Sequence, residues 1–324
     1  METKKIETLL CAMPLAECHR EVLRKRLPDT EILYGGYMKT PAEFVRRAQV
    51  IFGNVLPEYL KEAEKLEWVQ LGSAGADEYV PAVPERIILT NATGGYGETI
   101  SEHILAMLLM LQKKLHLYHD NMRAGIWKKR GDVLSIAGSV CLILGMGDIG
   151  GRFGEKAKML GAYIIGVRRS DMRKPVYCDE LYTMDSLDEL LPRADSVVMA
   201  LPNTPATQGV IDRRRLTLMK ETCILINVGR GSAVIKEDLI DALNSDGIWG
   251  AGIDVAYPEP LPLDDPLWRA KNLIITPHTS GGWTSPKNID DVMSIFLDNL
   301  ERWEKGGPLK NIVDRETGYA KKDI

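Results

Sequence analysis

The sequence has few cysteines, and their arrangement does not predict a metal cluster or a disulfide framework. Its 324 residues include five cysteines and no CxxC pair. Cys141 and Cys223 lie in apolar segments that we interpret as buried strands, which favours reduced thiols and a cytoplasmic location. His116 and His119 are three residues apart in a helical pattern, but no Cys or carboxylate cluster completes a site around them. We therefore predict no metal.

Long apolar runs and an excess of basic charge are also missing. The longest strongly apolar helical run, 104–111, is far shorter than the roughly 20 residues that cross a bilayer. Lys4 and Lys5 before an apolar stretch could suggest a signal peptide, but Glu7 and Pro14 interrupt it, so a first strand is the better interpretation. The net charge of −4 provides no basic footprint for nucleic acid. We expect neither a membrane nor a nucleic-acid partner.

Short apolar segments alternate with helical patterns along the whole chain. Such alternation predicts an α/β fold with parallel sheets and right-handed crossovers, and the length predicts two domains. Strands are predicted at 6–11, 31–34, 50–53, 68–71, 87–90, 140–144, 163–167, 196–201, 223–227, 249–254 and 273–276. Helices are predicted at 14–27, 41–48, 57–66, 98–121, 213–219, 236–245 and 286–305.

The apolar strand 140–144 ends in a glycine-rich turn, and a helical pattern begins at once. Gly145, Gly147 and Gly150 have the spacing GxGxxG. In this pattern one glycine allows a tight turn, one lets the backbone approach a pyrophosphate, and one lets the helix pack closely on the strand. The free N–H groups at the start of the helix, around Asp148 and Ile149, favour an anion. A second strand, 163–167, follows in register. The pattern predicts a dinucleotide site.

The position of this turn divides the chain into two domains. Residues 99–285 are predicted to form a Rossmann dinucleotide-binding domain. Residues 1–98 lack a glycine fingerprint and are predicted to form a smaller, flavodoxin-like substrate domain. The last helix is predicted to return to it, so that 286–324 completes a discontinuous domain. Both would be doubly wound parallel sheets.

Three charged residues follow strands of the second domain. Arg230 follows 223–227, Glu259 lies in a proline-stiffened loop after 249–254, and His278 follows 273–276. Reducing a 2-keto acid needs a proton donor, a cation for the carboxylate and a hydride source. A histidine suits the proton transfer, a neighbouring carboxylate would orient its ring, and the planar guanidinium suits a carboxylate. We predict that these three residues are catalytic.

In this arrangement the chain resembles the D-isomer-specific 2-hydroxyacid dehydrogenases, the family of glyoxylate/hydroxypyruvate reductases and phosphoglycerate dehydrogenases. The resemblance extends over nearly the whole chain. It rests on these segments in order: Trp68-Val-Gln-Leu-Gly-Ser-Ala-Gly-Ala-Asp77, Thr90-Asn-Ala92, Glu102-His103, the glycine fingerprint, Leu201-Pro-Asn-Thr-Pro205, Asn227-Val-Gly-Arg-Gly231, Asp254 with Glu259-Pro-Leu-Pro262, and Thr276-Pro-His278.

The resemblance implies roles for these residues. Arg230 would bind the substrate, Glu259 would be the partner of the histidine, and His278 would be the acid/base. Backbone N–H groups around Ala74, Gly75 and Ala76 would hold the substrate carboxylate, and dimers would form through the long helix near 100–120. The predicted substrate contacts are Asn54, Ala74, Gly75, Ala76, Arg230 and His278. The predicted coenzyme contacts are Gly145, Gly147, Asp148, Ile149, Gly150, Arg168, Arg169, Ser170, Leu201, Pro202, Thr207, Val228, Gly229 and Asp254, the last near the nicotinamide.

One position departs from the family pattern. Where an acidic residue would bond the adenosine ribose, the chain has Arg168, followed by Arg169 and Ser170. An acid would repel a 2′-phosphate, whereas two guanidinium groups attract one. The sequence therefore predicts NADP as the coenzyme, with NAD as the alternative.

Together these features predict an enzyme that reduces a short 2-keto acid, glyoxylate or hydroxypyruvate, to the D-2-hydroxy acid with NADPH, and that forms a homodimer. An NAD-dependent phosphoglycerate-type dehydrogenase is the alternative. A nucleotide-sensing, corepressor-like binding protein would share the fold, but the intact Arg, Glu and His count against it. A formate dehydrogenase is disfavoured because it would be expected to lack the Glu–His pair. The roles of Tyr96 and Trp283 stay open.

Overall fold

The computed structural model describes residues 4–169, 173–283, 285–316, 318 and 320. It divides into two compact units, one of residues 1–96 and 283–324, and the other of residues 97–282. The boundaries predicted from the sequence were 98/99 and 285/286.

Every strand of the two sheets pairs in parallel with its neighbours. The strands are β1 Thr8–Ala12, β2 Glu31–Tyr34, β3 Val50–Gly53, β4 Trp68–Gln70, β5 Ile88–Thr90, β6 Val140–Leu144, β7 Tyr163–Val167, β8 Glu180–Tyr182, β9 Ser196–Met199, β10 Ile224–Asn227, β11 Gly250–Ile253 and β12 Leu273–Ile275. The helices are α1 Glu17–Arg26, α2 Ala42–Arg47, α3 Gly97–Gln112, α4 Leu115–Arg123, α5 Asp148–Met159, α6 Leu187–Leu190, α7 Arg213–Leu218, α8 Lys236–Asn244 and α9 Pro286–Glu304.

The strand orders confirm the predicted fold class. The first unit has a five-stranded sheet in the order β2-β1-β3-β4-β5, which is the flavodoxin-like order. The second has a seven-stranded sheet in the order β12-β11-β10-β9-β6-β7-β8. Counted within the unit from β6, this is the Rossmann order 3-2-1-4-5-6 with one added strand. In both sheets the connection changes direction beside the first strand, which opens a crevice at the carboxyl edge.

An aromatic stack joins α9 to the sheet of the first unit. The rings of Phe52 and Phe296 are 4.1 Å apart, and Trp68 lies 5.4 Å from Phe296 and 5.5 Å from Trp303. Both phenylalanines and Trp68 are fully buried. Aromatic residues bury large apolar areas and therefore contribute strongly to a core. The last helix thus belongs to the first unit although the second unit separates it from that unit in the sequence.

The prediction of one helix from 98 to 121 was wrong, because α3 and α4 are separate. The break falls at Lys113 and Lys114, and Lys114 has the left-handed φ of 55°. No glycine or proline marks it in the sequence. Tertiary contacts hold Lys114 instead, because its ammonium lies 4.5 Å from the Trp249 ring and donates to the carbonyl of Arg130 at 2.9 Å. Two smaller departures are a 3-10 helix at Pro57–Glu62 and the short strand β8, which was not predicted.

Candidate active site

The glycine turn between β6 and α5 is built by close contacts between backbone atoms. Gly145 has a φ of +97°, and a Cβ there would lie 2.6 Å from the carbonyl oxygen of Ala200. A Cβ on Gly150 would lie 2.2 Å from the carbonyl oxygen of Gly145. A Cβ on Gly147 would meet nothing within 4 Å. The turn is therefore closed on the protein side and open at Gly147, where α5 begins, as a pyrophosphate requires.

The first residue of α5 serves a neighbouring helix. The Asp148 carboxylate accepts a hydrogen bond of 2.9 Å from the backbone N–H of Gly97, at the start of α3. A carboxylate at a helix N-terminus stabilises that helix. The side chain of Asp148 is thus engaged, and its N–H and that of Ile149 lie in the first turn of α5. Their predicted contact with a coenzyme stays a prediction.

Arg168 reaches from the end of β7 to the glycine turn. Its Nε donates to the carbonyl of Met146 at 3.1 Å, and its backbone N–H donates to Tyr182 of β8 at 3.0 Å. The guanidinium is therefore fixed beside the turn where a dinucleotide would lie. Arg169 is exposed. Ser170, which was also predicted to bind the coenzyme, lies outside the described residues.

The loops after β9 and β10 pack against each other. A Cβ on Gly229 would lie 2.5 Å from the carbonyl oxygen of Leu201, so only glycine allows this approach. Thr207 donates to the carbonyl of Pro202 at 2.6 Å and accepts from Thr204 N at 2.9 Å, which shapes the first of the two loops. Val228 continues β10 with a hydrogen bond to Met199. These predicted coenzyme residues thus line the same sheet edge as the glycine turn.

The structure brings Glu259 and His278 together. The Nδ1 atom of His278 lies 2.8 Å from Oε2 of Glu259, and Oε1 of Glu259 accepts from the backbone N–H of Ala256 at 2.8 Å. With an ionised Glu259, Nδ1 carries a proton and Nε2 is left for chemistry. About half of the His278 side chain is exposed, at 52%. This geometry is that of a general acid/base held by a carboxylate.

Arg230 lies in the loop after β10, beside the loop of Glu259. A Cβ on Gly231 would lie 2.1 Å from the carbonyl carbon of Ala256, so the two loops touch through their backbones. The amide of Asn227 donates to the Arg230 carbonyl at 2.9 Å, and Nη1 of Arg230 donates to the Gly229 carbonyl at 2.8 Å. The side chain is partly buried.

Asp254 has a role that the sequence did not predict. Its side chain is 1% exposed and accepts hydrogen bonds from three residues of the turn that carries His278. These are Thr276 Oγ1 at 2.6 Å, the backbone N–H of Thr279 at 3.0 Å, and both the backbone N–H at 3.1 Å and the hydroxyl of Ser280. The N–H of His278 donates to the Asp254 carbonyl at 2.8 Å. Three hydroxyl residues after the strand, Thr276, Thr279 and Ser280, are the only trace of this arrangement in the sequence.

The predicted substrate residues of the first unit form one loop cluster. Oδ1 of Asn54 accepts from Gly72 N at 2.9 Å, and its amide donates to Ser73 Oγ at 3.1 Å. Ser73 Oγ donates in turn to the carbonyl of Gly75 at 2.7 Å, which shapes the segment containing Ala74 and Ala76. Their role in holding a carboxylate stays a prediction.

Tyr96 and Trp283 pack around the same loop. Their rings meet edge to face at 6.2 Å, and the Tyr96 hydroxyl donates to the Gly72 carbonyl. A Cβ on Gly72 would lie 2.7 Å from the Trp283 ring. Both aromatic residues therefore shape the loop.

The described part of the chain shows neither a metal-binding cluster nor a membrane span. There, no three His, Cys, Asp or Glu side chains come together as a metal site would require. None of the helices in the same part combines the length and apolarity that crossing a bilayer requires.

The chain is similar to known proteins over most of its length. Residues 105–280 match the family model described as D-isomer specific 2-hydroxyacid dehydrogenase, NAD binding domain. A hydroxypyruvate reductase of Blautia hydrogenotrophica is 30% identical over 305 residues, which cover 91% of this chain and 88% of the relative.

Two solved structures are similar to the whole chain. A D-isomer specific 2-hydroxyacid dehydrogenase family protein of Aeromonas salmonicida has a TM-score of 0.85 at 33% identity, covering 95% of this chain and 99% of that one. A probable 2-hydroxyacid dehydrogenase of Rhizobium etli, in complex with NADP, HEPES and L(+)-tartaric acid, has a TM-score of 0.79 at 25% identity, covering 98% and 100%.

The fold and these similarities define an NAD(P)-dependent oxidoreductase. The chain belongs to the D-isomer specific 2-hydroxyacid dehydrogenase family, which confirms the resemblance seen in the sequence. A nicotinamide coenzyme and a small 2-hydroxy or 2-keto acid are the reactants of this family.

Proposed function

We propose that this enzyme reduces a short, polar 2-keto acid, of the glyoxylate or hydroxypyruvate type, to the D-2-hydroxy acid with NADPH. The observation that carries the proposal is the 2.8 Å contact between His278 Nδ1 and Glu259, in the same unit as the glycine turn. Both lie where strands of one sheet end, which is where open α/β sheets bind their ligands. The hydroxypyruvate reductase relative supports this substrate class.

The residues divide the chemistry between them. When bound, the coenzyme supplies the hydride. His278 gives the proton on Nε2 to the carbonyl oxygen, while Glu259 keeps Nδ1 protonated and stabilises the imidazolium before transfer. Arg230 binds the carboxylate with its planar fork, which orients the carbonyl carbon. In the oxidation direction the same imidazole accepts the hydroxyl proton.

The choice of NADPH rests on Arg168. Its guanidinium is held beside the glycine turn by Met146, at the end of β7 where a dinucleotide fold places the adenosine ribose. A charge-assisted hydrogen bond contributes about 1.5–3 kcal/mol, which corresponds to a preference of roughly ten- to hundredfold. The NADP complex of the Rhizobium etli relative supports the choice.

A substrate panel tests the proposal. Glyoxylate, hydroxypyruvate, pyruvate, phosphohydroxypyruvate and a bulkier keto acid are each assayed with NADPH and with NADH. We expect the highest kcat/KM for glyoxylate or hydroxypyruvate with NADPH. Because glycolate is achiral, the stereochemistry is read from hydroxypyruvate, whose product should be D-glycerate. An L product, or turnover of only phosphohydroxypyruvate with NADH, would contradict the proposal.

We also propose a homodimer, formed through the segment that begins at α4. This segment exposes five apolar side chains, whereas monomers rarely expose a large apolar patch. They are Leu115, Met122, Ile126, Val133 and the fully exposed Trp127. Light scattering should give twice the chain mass of 36.1 kDa. Trp127→Glu should lower the measured mass towards that of one chain, whereas the matched variant of another exposed tryptophan, Trp268→Glu, should not.

The five free thiols support a reducing, cytoplasmic compartment.

A further inference from the structure

The turn that carries His278 has a backbone conformation that other groups must hold in place. His278 has a φ of +50°, in the left-handed region that non-glycine residues seldom adopt. Such a conformation persists only where surrounding contacts impose it. Those contacts come mainly from Asp254, whose carboxylate accepts from Thr276, Thr279 and Ser280. The aim of the His278 ring therefore depends on where this carboxylate lies.

A second histidine extends this network. His103, on α3, has its Nε2 atom 3.0 Å from the Thr276 hydroxyl oxygen. That hydroxyl has one proton, and its 2.6 Å contact with the Asp254 carboxylate uses it. Thr276 therefore accepts from His103, so His103 carries a proton on Nε2. The direction of the chain is fixed: His103 donates to Thr276, and Thr276 donates to Asp254.

These hydrogen bonds lie largely out of contact with solvent. Asp254 is buried, and the side chain of His103 is 23% exposed. His103 Nε2 also lies 3.8 Å from Asp254 Oδ1. Hydrogen bonds to a buried carboxylate are stronger than those between neutral groups, and a buried carboxylate that loses a donor is costly. The hydrogen bonds from His103 through Thr276 to Asp254 thus link α3 to the turn of His278 through side chains alone.

We infer that His103 and Thr276 are positioning residues, which hold the His278 turn through Asp254 without touching the reactants. The inference rests on the proposed function, because it assigns these residues to the same acid/base. One structural consequence does not depend on turnover: the N–H groups of Thr279 and Ser280 stay bonded to Asp254 because Thr276 and His103 fix the carboxylate.

Matched variants test the inference. Thr276→Val keeps the shape and removes the hydroxyl, whereas Thr276→Ser keeps the hydroxyl. His103→Phe removes the donor, whereas His103→Gln keeps an N–H at a similar reach. We expect kcat to fall about ten- to hundredfold in T276V, since a misplacement of about 1 Å can cost that much. T276S and H103Q should stay within about threefold of the wild type, while the kcat of H103F should fall below that range but no lower than that of T276V. His119→Phe, at an exposed histidine of α4 that makes no contact with this network, should leave kcat and the exchange at 279 and 280 unchanged.

The order of these hydrogen bonds predicts the kcat of the double variant. If His103 acts only through Thr276, H103F with T276V should lose no more kcat than T276V alone. The coenzyme Kd of T276V should stay near that of the wild type, whereas its Tm should fall by a few degrees because the buried carboxylate loses a donor. Losses that multiply in the double variant, equal losses in T276V and T276S, or a kcat of T276V within twofold of the wild type would overturn the inference.

Amide hydrogen exchange separates this inference from the proposed function. Exchange at 279 and 280 should be at least about tenfold faster in T276V and H103F than in T276S and H103Q. If the wild type reduces no keto acid, the proposed function fails. The exchange rates then still decide whether the hydrogen bonds of His103 and Thr276 hold the turn. If the wild type is active and exchange is equal in all variants, only the inference fails.

Discussion

Two turns at the carboxyl edge of the second unit's sheet are built in different ways. The turn after β6 is made of backbone: a Cβ on Gly150 would meet a carbonyl oxygen at 2.2 Å, and one on Gly145 at 2.6 Å. The turn after β12 is held by side chains, chiefly the carboxylate of Asp254. The first depends on missing Cβ atoms at glycines that lie within six residues, and the second depends on a buried carboxylate 22 to 26 residues away from the groups that it binds. A steric turn is rigid but tolerates no side chain at Gly145 or Gly150, where a Cβ would meet backbone, whereas a hydrogen-bonded turn can place a reactive side chain.

The largest effect is expected where the second turn carries chemistry. His278→Ala should lower kcat about 10²–10⁴-fold, the usual contribution of a general acid. Because the glycine turn is separate, NADPH should bind with an unchanged Kd, measured by fluorescence titration. A kcat close to that of the wild type would refute the assignment of His278.

A smaller effect is expected where a side chain adds to the glycine turn. Arg168→Asp with Arg169→Ala should shift the ratio of kcat/KM for NADPH to that for NADH roughly ten- to hundredfold towards NADH, by removing one charge-assisted bond. Arg168→Asp reverses the charge beside the expected 2′-phosphate of NADPH. NADH has no such phosphate, so its kcat/KM serves as the internal control. An unchanged ratio would remove the argument for NADPH.

Two glycines of the turn after β6 are expected to differ, one limited by backbone contacts and the other by the coenzyme. Gly150→Ala should lower the free energy of unfolding by about 1–3 kcal/mol, because the added methyl meets backbone that cannot move aside. Gly147→Ala meets nothing within 4 Å, so its Tm should change little while its coenzyme Kd rises about tenfold from one lost contact. Equal Tm losses in the two variants, measured by calorimetry, would contradict this division of roles.

The smallest effect concerns β8, the edge strand that bonds to Arg168. Hydrogen bonds, first from Arg193 and then from Tyr182, lower the pKa of Glu180 to about 2 from 4.5. A folded-state pKa below the unfolded one gives stability that is present above pH 4.5 and is lost as the pH falls towards 2. Glu180→Gln should therefore flatten the fall of Tm over that range. A curve parallel to that of the wild type would show that the ion pair contributes nothing.

The comparison also explains what the sequence could predict. The glycine turn is local, so spacing alone revealed it, and the alternation of strands and helices revealed both sheets. Strand β8 was missed because Glu180–Tyr182 is too short to show a pattern. The bonds of Asp254 to Thr276 and Ser280 join segments distant in sequence, so no spacing rule could find them. The role of His103 was missed for the same reason, although the residue itself was noticed as part of a motif.

The break at Lys114 could not be predicted either, because contacts with Trp249 and Arg130 impose a left-handed backbone on an ordinary helical sequence. Helix propensity is a weak determinant that tertiary contacts override. The sequence therefore predicts elements well where their causes are local and fails where a distant side chain decides.

The fully exposed Trp127 gives the molecule a built-in optical probe. Trp68 and Trp303 are buried and Trp268 is half-exposed, so covering Trp127 would change the emission of the most exposed tryptophan. If the homodimer proposed above forms through Trp127, dilution should shift the fluorescence spectrum to longer wavelength as the two chains separate, and Trp127→Phe should abolish that shift. An unlabelled enzyme can in this way report its own assembly in a cuvette.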